Sequence, residues 1–122
     1  MMLLDSNIII YAAEPKHDAV REFISKHRPS VSAVSKVEVL GYHQLRMEHR
    51  QKLERMFQLL PVLAVSDVII DRAVALRQTR KMSLGDALIA ATALVHNLPV
   101  ATANVRDYSW IDGLNVVNPL AP

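Results

Sequence analysis

The chain contains no cysteine, so neither a disulfide framework nor a thiolate metal site is possible. This absence fits a reducing cytoplasm, which is the compartment we expect. No apolar stretch approaches the ~20 residues that a membrane span requires, so we expect no membrane contact. The N-terminal segment MMLLDSNIII has no basic region before its apolar run, and we expect no signal peptide there. Aromatic residues make up only 5% of the sequence, too few and too dispersed for a base-stacking platform.

The composition that is present describes a globular protein. With 122 residues, of which 51% are hydrophobic, we expect one domain over residues 1–122 with a substantial core. The net charge is only +2, so bulk charge does not predict nucleic-acid binding. Any such contact must come from a local arrangement of Lys and Arg.

Short apolar segments alternate with segments of helical periodicity along the chain. Strands are predicted at 1–5, 30–34, 62–65, 98–102 and 115–117. Helices are predicted at 8–13, 18–27, from about 36 with an interruption at Gly41, and at 43–60, 67–81 and 84–96. Strands separated by helices indicate right-handed crossovers and a parallel sheet covered on both faces. We therefore predict an α/β fold, a three-layer α/β/α sandwich around a central parallel sheet of four to five strands.

Acidic and amide side chains follow the predicted strands, where open parallel sheets bind ligands. Asp5 ends the first strand, and Glu38 lies one turn into the helix after the second. Asp86 lies at the start of the most apolar helix. Asn104 and Asp107 follow the fourth strand. These residues are the candidates for a functional site.

Helix capping is the competing explanation for the acids. Ser35 with Glu38, and Ser83 with Asp86, match the capping box, and Asp5 fits a simple N-cap. Capping explains why each acid lies near a helix start, but not why each sheet-end loop carries one. Converging carboxylates repel one another and are costly to bury, unless a hard divalent cation binds them.

Oxygen ligands without cysteine or paired histidines favour Mg²⁺ or Mn²⁺ as the cofactor. The chemistry that such a site favours is phosphodiester hydrolysis. Two other interpretations stay open: another metal-dependent phosphoesterase, and a degenerate binding or regulatory module, for which Asn104 is the positive hint. An aspartyl-nucleophile phosphatase would need a DxD motif, and Asp5-Ser6-Asn7 has an amide in the third place.

Four segments of the chain resemble the PIN-domain nucleases, and in particular the VapC-type toxins of prokaryotic toxin–antitoxin modules. These are LLDSNIIIYA, SAVSKVEVLGY, LGDALIAATALVHNLPVATANVRDY and GLNVVNP. They cover nearly the whole chain in the family's order and spacing, and the block from Asp86 to Asp107 is the most specific. The resemblance implies a PIN-like fold, Mg²⁺- or Mn²⁺-dependent endoribonuclease activity on RNA, a cognate antitoxin and a homodimer.

The resemblance also implies roles for individual residues. It makes Asp5, Glu38, Asp86 and Asp107 the catalytic set. Metal ligands would be Asp5, Asp86 and either Asn104 or Asp107, because Asn104 stands where the family commonly has its fourth acid. Supporting positions would be Ser6, whose hydroxyl can orient a metal-bound water, together with Asn7 and Thr102.

Three cations precede Asp86 and are the predicted RNA phosphate contacts. They are Arg77, Arg80 and Lys81. Helix C-termini favour cations in any case, so a purely local role is the alternative.

Overall fold

A computed structural model describes residues 1–120 of the protein, which form five short strands and seven helices. The strands are β1 (Leu3–Leu4), β2 (Ser30–Ser32), β3 (Val62–Leu63), β4 (Val100–Ala101) and β5 (Val116–Val117). The helices are α1 (Ser6–Ala12), α2 (Asp18–His27), α3 (Ala33–Leu40), α4 (Met47–Leu59), α5 (Asp67–Thr79), α6 (Leu84–His96) and α7 (Val105–Tyr108). No helix within this range is both long and apolar enough to cross a membrane.

The five strands form one sheet in the order β3-β2-β1-β4-β5, and every neighbouring pair is parallel. The chain moves outward from β1 through β2 to β3, then crosses to the other side for β4 and β5. The strand order therefore reverses between β1 and β4, and the carboxyl ends of these two strands border the crevice where such sheets bind ligands. The predicted parallel α/β sheet is confirmed.

Helices cover both faces of the sheet because its central strand is apolar on both. Leu3 and Leu4 are fully buried, and successive side chains of a strand point to opposite faces. Leu4 belongs to a cluster with Ile8 and Val31, whereas Leu3 belongs to another with Ile89. The predicted buried helix at 84–96 is α6, which packs closely on α5 through small alanine side chains.

Several predicted boundaries are wrong for local reasons. Helix α3 begins at Ala33 because the Ser32 hydroxyl accepts a hydrogen bond from the Val34 amide at 3.1 Å. The predicted strand at 30–34 is therefore too long, and Ser35 with Glu38 is not a capping box. Helix α4 begins at Met47, after a turn closed between residues 42 and 45, and not at residue 43. Helix α7 was not predicted.

Candidate active site

Asp5 lies at the point where the strand order reverses. Its backbone amide donates to the Ala101 carbonyl at 2.9 Å, which fixes the end of β1 against β4. Thr102 follows β4, and its hydroxyl donates to Asp5 Oδ2 at 2.7 Å. Asp5 also caps α1, since Oδ1 accepts from the Ser6 amide at 2.9 Å. The side chain is buried, with 5% of the residue exposed. Capping thus explains the contact of this carboxylate with the Ser6 amide, but not its contact with Thr102.

Tyr108 joins Asp5 to Asp86. It lies at the end of α7 and is fully buried, and its hydroxyl is 3.1 Å from Asp5 Oδ1 and 3.1 Å from Asp86 Oδ1. Tyr108 is a site residue that the sequence motifs do not predict. The one feature of the sequence that could have pointed to it is its position directly after Asp107. Periodicity does not predict which side chains a tyrosine hydroxyl contacts.

Glu38 reaches the site through Ser6. The Ser6 hydroxyl donates to Glu38 Oε1 at 2.8 Å and shares a second hydrogen bond with Ser35 Oγ at 2.9 Å. The Glu38 carboxylate also lies against Gly85, where a β-carbon would come within 3.2 Å of Oε1 and would overlap Oε2. Gly85 directly precedes Asp86, so this close approach brings two acids to neighbouring positions. Neither Ser35 nor Gly85 is predicted as a site residue from the sequence.

Asp86 lies in the first turn of α6, as the capping prediction expected, but only its backbone amide takes part in the cap. The Ser83 hydroxyl accepts a hydrogen bond from the Asp86 amide at 3.1 Å. The Asp86 carboxylate accepts instead from Tyr108. Its side chain is therefore available for chemistry, whereas its amide stabilises the helix start.

The three acids of the site form no ion pair in the described residues. Burial raises the pKa of Asp5, and repulsion from Asp86 raises it further, against the hydrogen bonds from Thr102 and Tyr108. Burial and the two acids raise the pKa of Tyr108, which stays neutral and donates. None of the ion pairs within residues 1–120 involves Asp5, Glu38 or Asp86.

The acids do not form a ready-made metal cage. Within residues 1–120, no three acidic or histidine side chains lie close enough together to hold a metal ion. The Tyr108 hydroxyl links Asp5 to Asp86 instead, and Ser6 links Asp5 to Glu38, its amide donating to Asp5 and its hydroxyl to Glu38. The donor atoms still fit a hard cation, because all are oxygens and Asp5 is buried without a cationic partner. Mg²⁺ usually binds through one or two carboxylates and keeps several waters.

The two candidates for the fourth ligand lie on and before α7. Asn104 is exposed, and its backbone amide donates to Thr102 Oγ1 at 2.9 Å. Asp107 is also exposed, but it lines a cavity of about 160 Å³ that Asp86 lines as well. Asn104 is not among the lining residues. Of the supporting residues, Asn7 lies half-buried in the first turn of α1.

Three cationic side chains line the same small cavity as Asp86. Arg80, Lys81 and Arg106 line it together with Trp110, and the Arg80 guanidinium lies 5.1 Å from the centre of the Trp110 ring. Arg106 and Trp110 were not predicted as site residues. Arg77 lies elsewhere: it donates to the Met82 carbonyl at 3.3 Å and lines a groove between α5 and α6. Of the three predicted RNA contacts, Arg77 and Arg80 thus line different cavities, and Lys81 lines both.

Comparisons with known proteins agree with this architecture. The model of the PIN domain family matches residues 2–112. The chain is 32% identical over 123 residues to Ribonuclease VapC10 of Mycobacterium tuberculosis, which covers 93% of this chain and 90% of that protein. A toxin–antitoxin complex from Klebsiella pneumoniae contains a chain that is 29% identical, with a TM-score of 0.78 and full coverage of both chains. A DNA-bound VapBC from Salmonella typhimurium has a TM-score of 0.84 at 20% identity, covers 98% of this chain and 99% of that chain, and shows the shared fold alone.

Proposed function

This chain belongs to the PIN-domain family, and from that premise we propose that it is a metal-dependent endoribonuclease, the toxin of a toxin–antitoxin pair. One observation carries the metal dependence. Asp5 is buried beside Asp86, and no cationic side chain within residues 1–120 pairs with either acid. Unpaired buried charge is costly, and sites that keep it generally use it for binding or catalysis.

The residues of the site fall into ligands, a base and supporting groups. Asp5 and Asp86 would hold Mg²⁺ or Mn²⁺, with Asp107 as the further ligand, because it shares a cavity with Asp86 and Asn104 does not. When bound, such a cation polarises a phosphoryl oxygen and lowers the pKa of a coordinated water. Glu38 then accepts the proton of the attacking water as general base.

The supporting groups orient the acids. Thr102 donates to Asp5, and Ser6 donates to Glu38, so each carboxylate presents a defined oxygen to the site. Gly85 leaves room for the Glu38 carboxylate next to Asp86. Fixed orientation matters because small displacements of catalytic groups reduce rates strongly.

RNA would bind through the cations beside Asp86. Arg80, Lys81 and Arg106 line the cavity that Asp86 borders, so a phosphate held there lies next to an acid of the site. Such contacts fix the position of the backbone without reading its sequence. Because the net charge of the whole chain is only +2, this local cluster must supply the attraction.

Two protein partners complete the proposal. The Klebsiella pneumoniae structure is a toxin–antitoxin complex, and we expect a protein antitoxin to bind this chain too. For the homodimer, the support is an apolar face on α5 and at the start of α6. Its exposed side chains are Ile70, Val74 and Leu84, which line one groove.

Cleavage of an end-labelled RNA by the purified protein tests the activity. We expect internal cleavage with Mg²⁺ or Mn²⁺, none after dialysis against EDTA, and recovery when metal is added back. Glu38→Gln and Asp86→Asn should lower the rate at least about a hundredfold, whereas Asp71→Asn, an exposed acid on α5, should not. Undiminished cleavage in EDTA would refute the metal dependence. RNA binding without cleavage by the wild type would indicate a binding module instead.

A further inference from the structure

We propose that the Tyr108 hydroxyl occupies the position of a cation between Asp5 and Asp86 and competes with metal binding there. The proposal rests on the metal-dependent function given above. Its basis is the bridging geometry, in which a neutral hydroxyl lies 3.1 Å from one oxygen of each acid. A single donor thus partly replaces the positive charge that two facing carboxylates would otherwise require.

The Tyr108 hydroxyl uses one of the hydrogen-bond acceptor positions of the Asp5 carboxylate. Each carboxylate oxygen accepts about two hydrogen bonds. Asp5 Oδ1 already accepts from the Ser6 amide and from Tyr108, so both of its acceptor positions are in use. Asp5 Oδ2 accepts from Thr102 and keeps one position free. Tyr108 therefore occupies the acceptor position of Asp5 that lies towards Asp86.

The single phenol proton is shared between the two acids. A phenol has one hydrogen to donate, and both oxygen–oxygen distances are longer than the usual value of about 2.7–2.8 Å. A cation that binds the same two oxygens would face this partly positive hydrogen. The O–H bond would then have to turn away, and its hydrogen bonds to the acids would be lost.

Burial keeps the hydroxyl at this place. Tyr108 is 0% exposed, and its ring belongs to the apolar cluster that contains Ile89, Val100 and Ile111. The ring cannot leave without disrupting that core, so only the hydroxyl hydrogen can adjust. Phenylalanine would keep the packing and remove the donor alone, which makes Tyr108→Phe a specific test.

We expect opposite effects of Tyr108→Phe on stability and on metal affinity. In EDTA the variant should melt at a lower temperature, because the two acids lose their shared donor. It should bind Mn²⁺ about three- to tenfold more tightly in calorimetric titrations, since no hydrogen bond to a charged acceptor has to be broken first. Tyr11→Phe is the matched control, because Tyr11 lies outside the site, with its ring centre 4.7 Å from that of His17. It should leave Mn²⁺ affinity unchanged.

A second measurement compares the same three proteins by tyrosine absorbance. Saturation with Mn²⁺ should change the ultraviolet difference spectrum of tyrosine in the wild type and in Tyr11→Phe, and not in Tyr108→Phe. Unchanged or weaker Mn²⁺ binding by Tyr108→Phe, or a wild-type spectrum that Mn²⁺ does not alter, overturns the role of Tyr108. If the wild type still binds Mn²⁺ and cleaves RNA, the proposed function survives that result. A wild type that binds no Mn²⁺ overturns both proposals.

Discussion

The Glu38 carboxylate lies directly against Gly85, in space that any other side chain at position 85 would fill. A β-carbon there would be 3.0 Å from the carboxyl carbon of Glu38 and nearer still to Oε2. Glu38 belongs to α3 and Gly85 to the first turn of α6, so α3 and α6 approach each other closely at the site. Glycine is a poor helix former. Its presence in the first turn of α6 is explained by the space that the Glu38 carboxylate needs.

Gly85→Ala should therefore lower activity without lowering stability. The new methyl group displaces the Glu38 carboxylate, and we expect cleavage to fall at least about tenfold, a modest part of what general bases contribute. The free energy of unfolding should stay unchanged or rise by up to ~1 kcal/mol, because alanine forms helix more readily than glycine. Initial rates and urea denaturation measure the two effects.

The control for Gly85→Ala is a double-variant cycle with Glu38→Gln. If the methyl group acts through Glu38, adding Gly85→Ala to Glu38→Gln should cost no further activity. Independent, additive losses would show that Gly85 serves some other contact.

Asp5→Asn should raise the stability of the metal-free protein at neutral pH. Burial raises the folded-state pKa of Asp5 above its ordinary value of 3.8. A raised pKa means that the folded state favours the protonated acid. Its contribution to stability is therefore complete below the unfolded-state pKa and is lost as pH rises through the folded-state pKa. Asparagine is neutral throughout and retains an oxygen to cap α1.

Thermal unfolding in EDTA across a range of pH measures this effect. The variant should melt above the wild type at pH 7, and the difference should shrink as the pH falls towards about 4. Mg²⁺ should raise the melting temperature of the wild type and not that of Asp5→Asn. A wild type as stable as the variant at pH 7 would show that the charge of Asp5 is compensated within the protein.

Asp107→Asn should weaken metal binding more than any change at position 104. Asp107 lines a cavity together with Asp86, and the loss of its charge removes attraction for a divalent cation. Asn104→Asp is the matched comparison, because it adds the same charge outside that cavity. We expect a clear loss of Mn²⁺ affinity for the first and little change for the second. Tighter Mn²⁺ binding by Asn104→Asp, with no effect of Asp107→Asn, would show that position 104, and not Asp107, contributes to the metal site.

Arg80→Ala should weaken RNA binding by removing one phosphate contact. We expect the KM for RNA to rise several-fold, and the slope of log affinity against log salt to fall by ~0.7, as for one contact to single-stranded nucleic acid. Arg77→Ala is the comparison, because Arg77 donates to the Met82 carbonyl and lines another groove. Its salt dependence should stay near that of the wild type. Equal effects of the two substitutions would argue against a binding role for this cavity.

The amino-acid sequence by itself determined the parts of this protein that depend on neighbouring residues. Helices α2 and α6 have the predicted bounds, because apolar spacing and the residues at their ends define them locally. Alternating strands and helices were enough to predict the parallel sheet, and therefore the edge at which Asp5 and Thr102 meet. A predicted helix boundary was wrong where a single hydroxyl group determines it, as the Ser32 hydroxyl does at the start of α3.

Only the tertiary structure decided how the site residues contact one another. Tyr108 is 103 residues from Asp5 and 22 from Asp86, and it reaches both through one hydroxyl. The same holds for the approach of Glu38 to Gly85, and for the separation of Arg77 from Arg80. Whether a hydrogen bond forms depends on differences of a few tenths of an ångström in the donor–acceptor distance. Such distances follow from the packing of α3, α6 and α7 against the sheet, which the periodicity of the sequence does not specify.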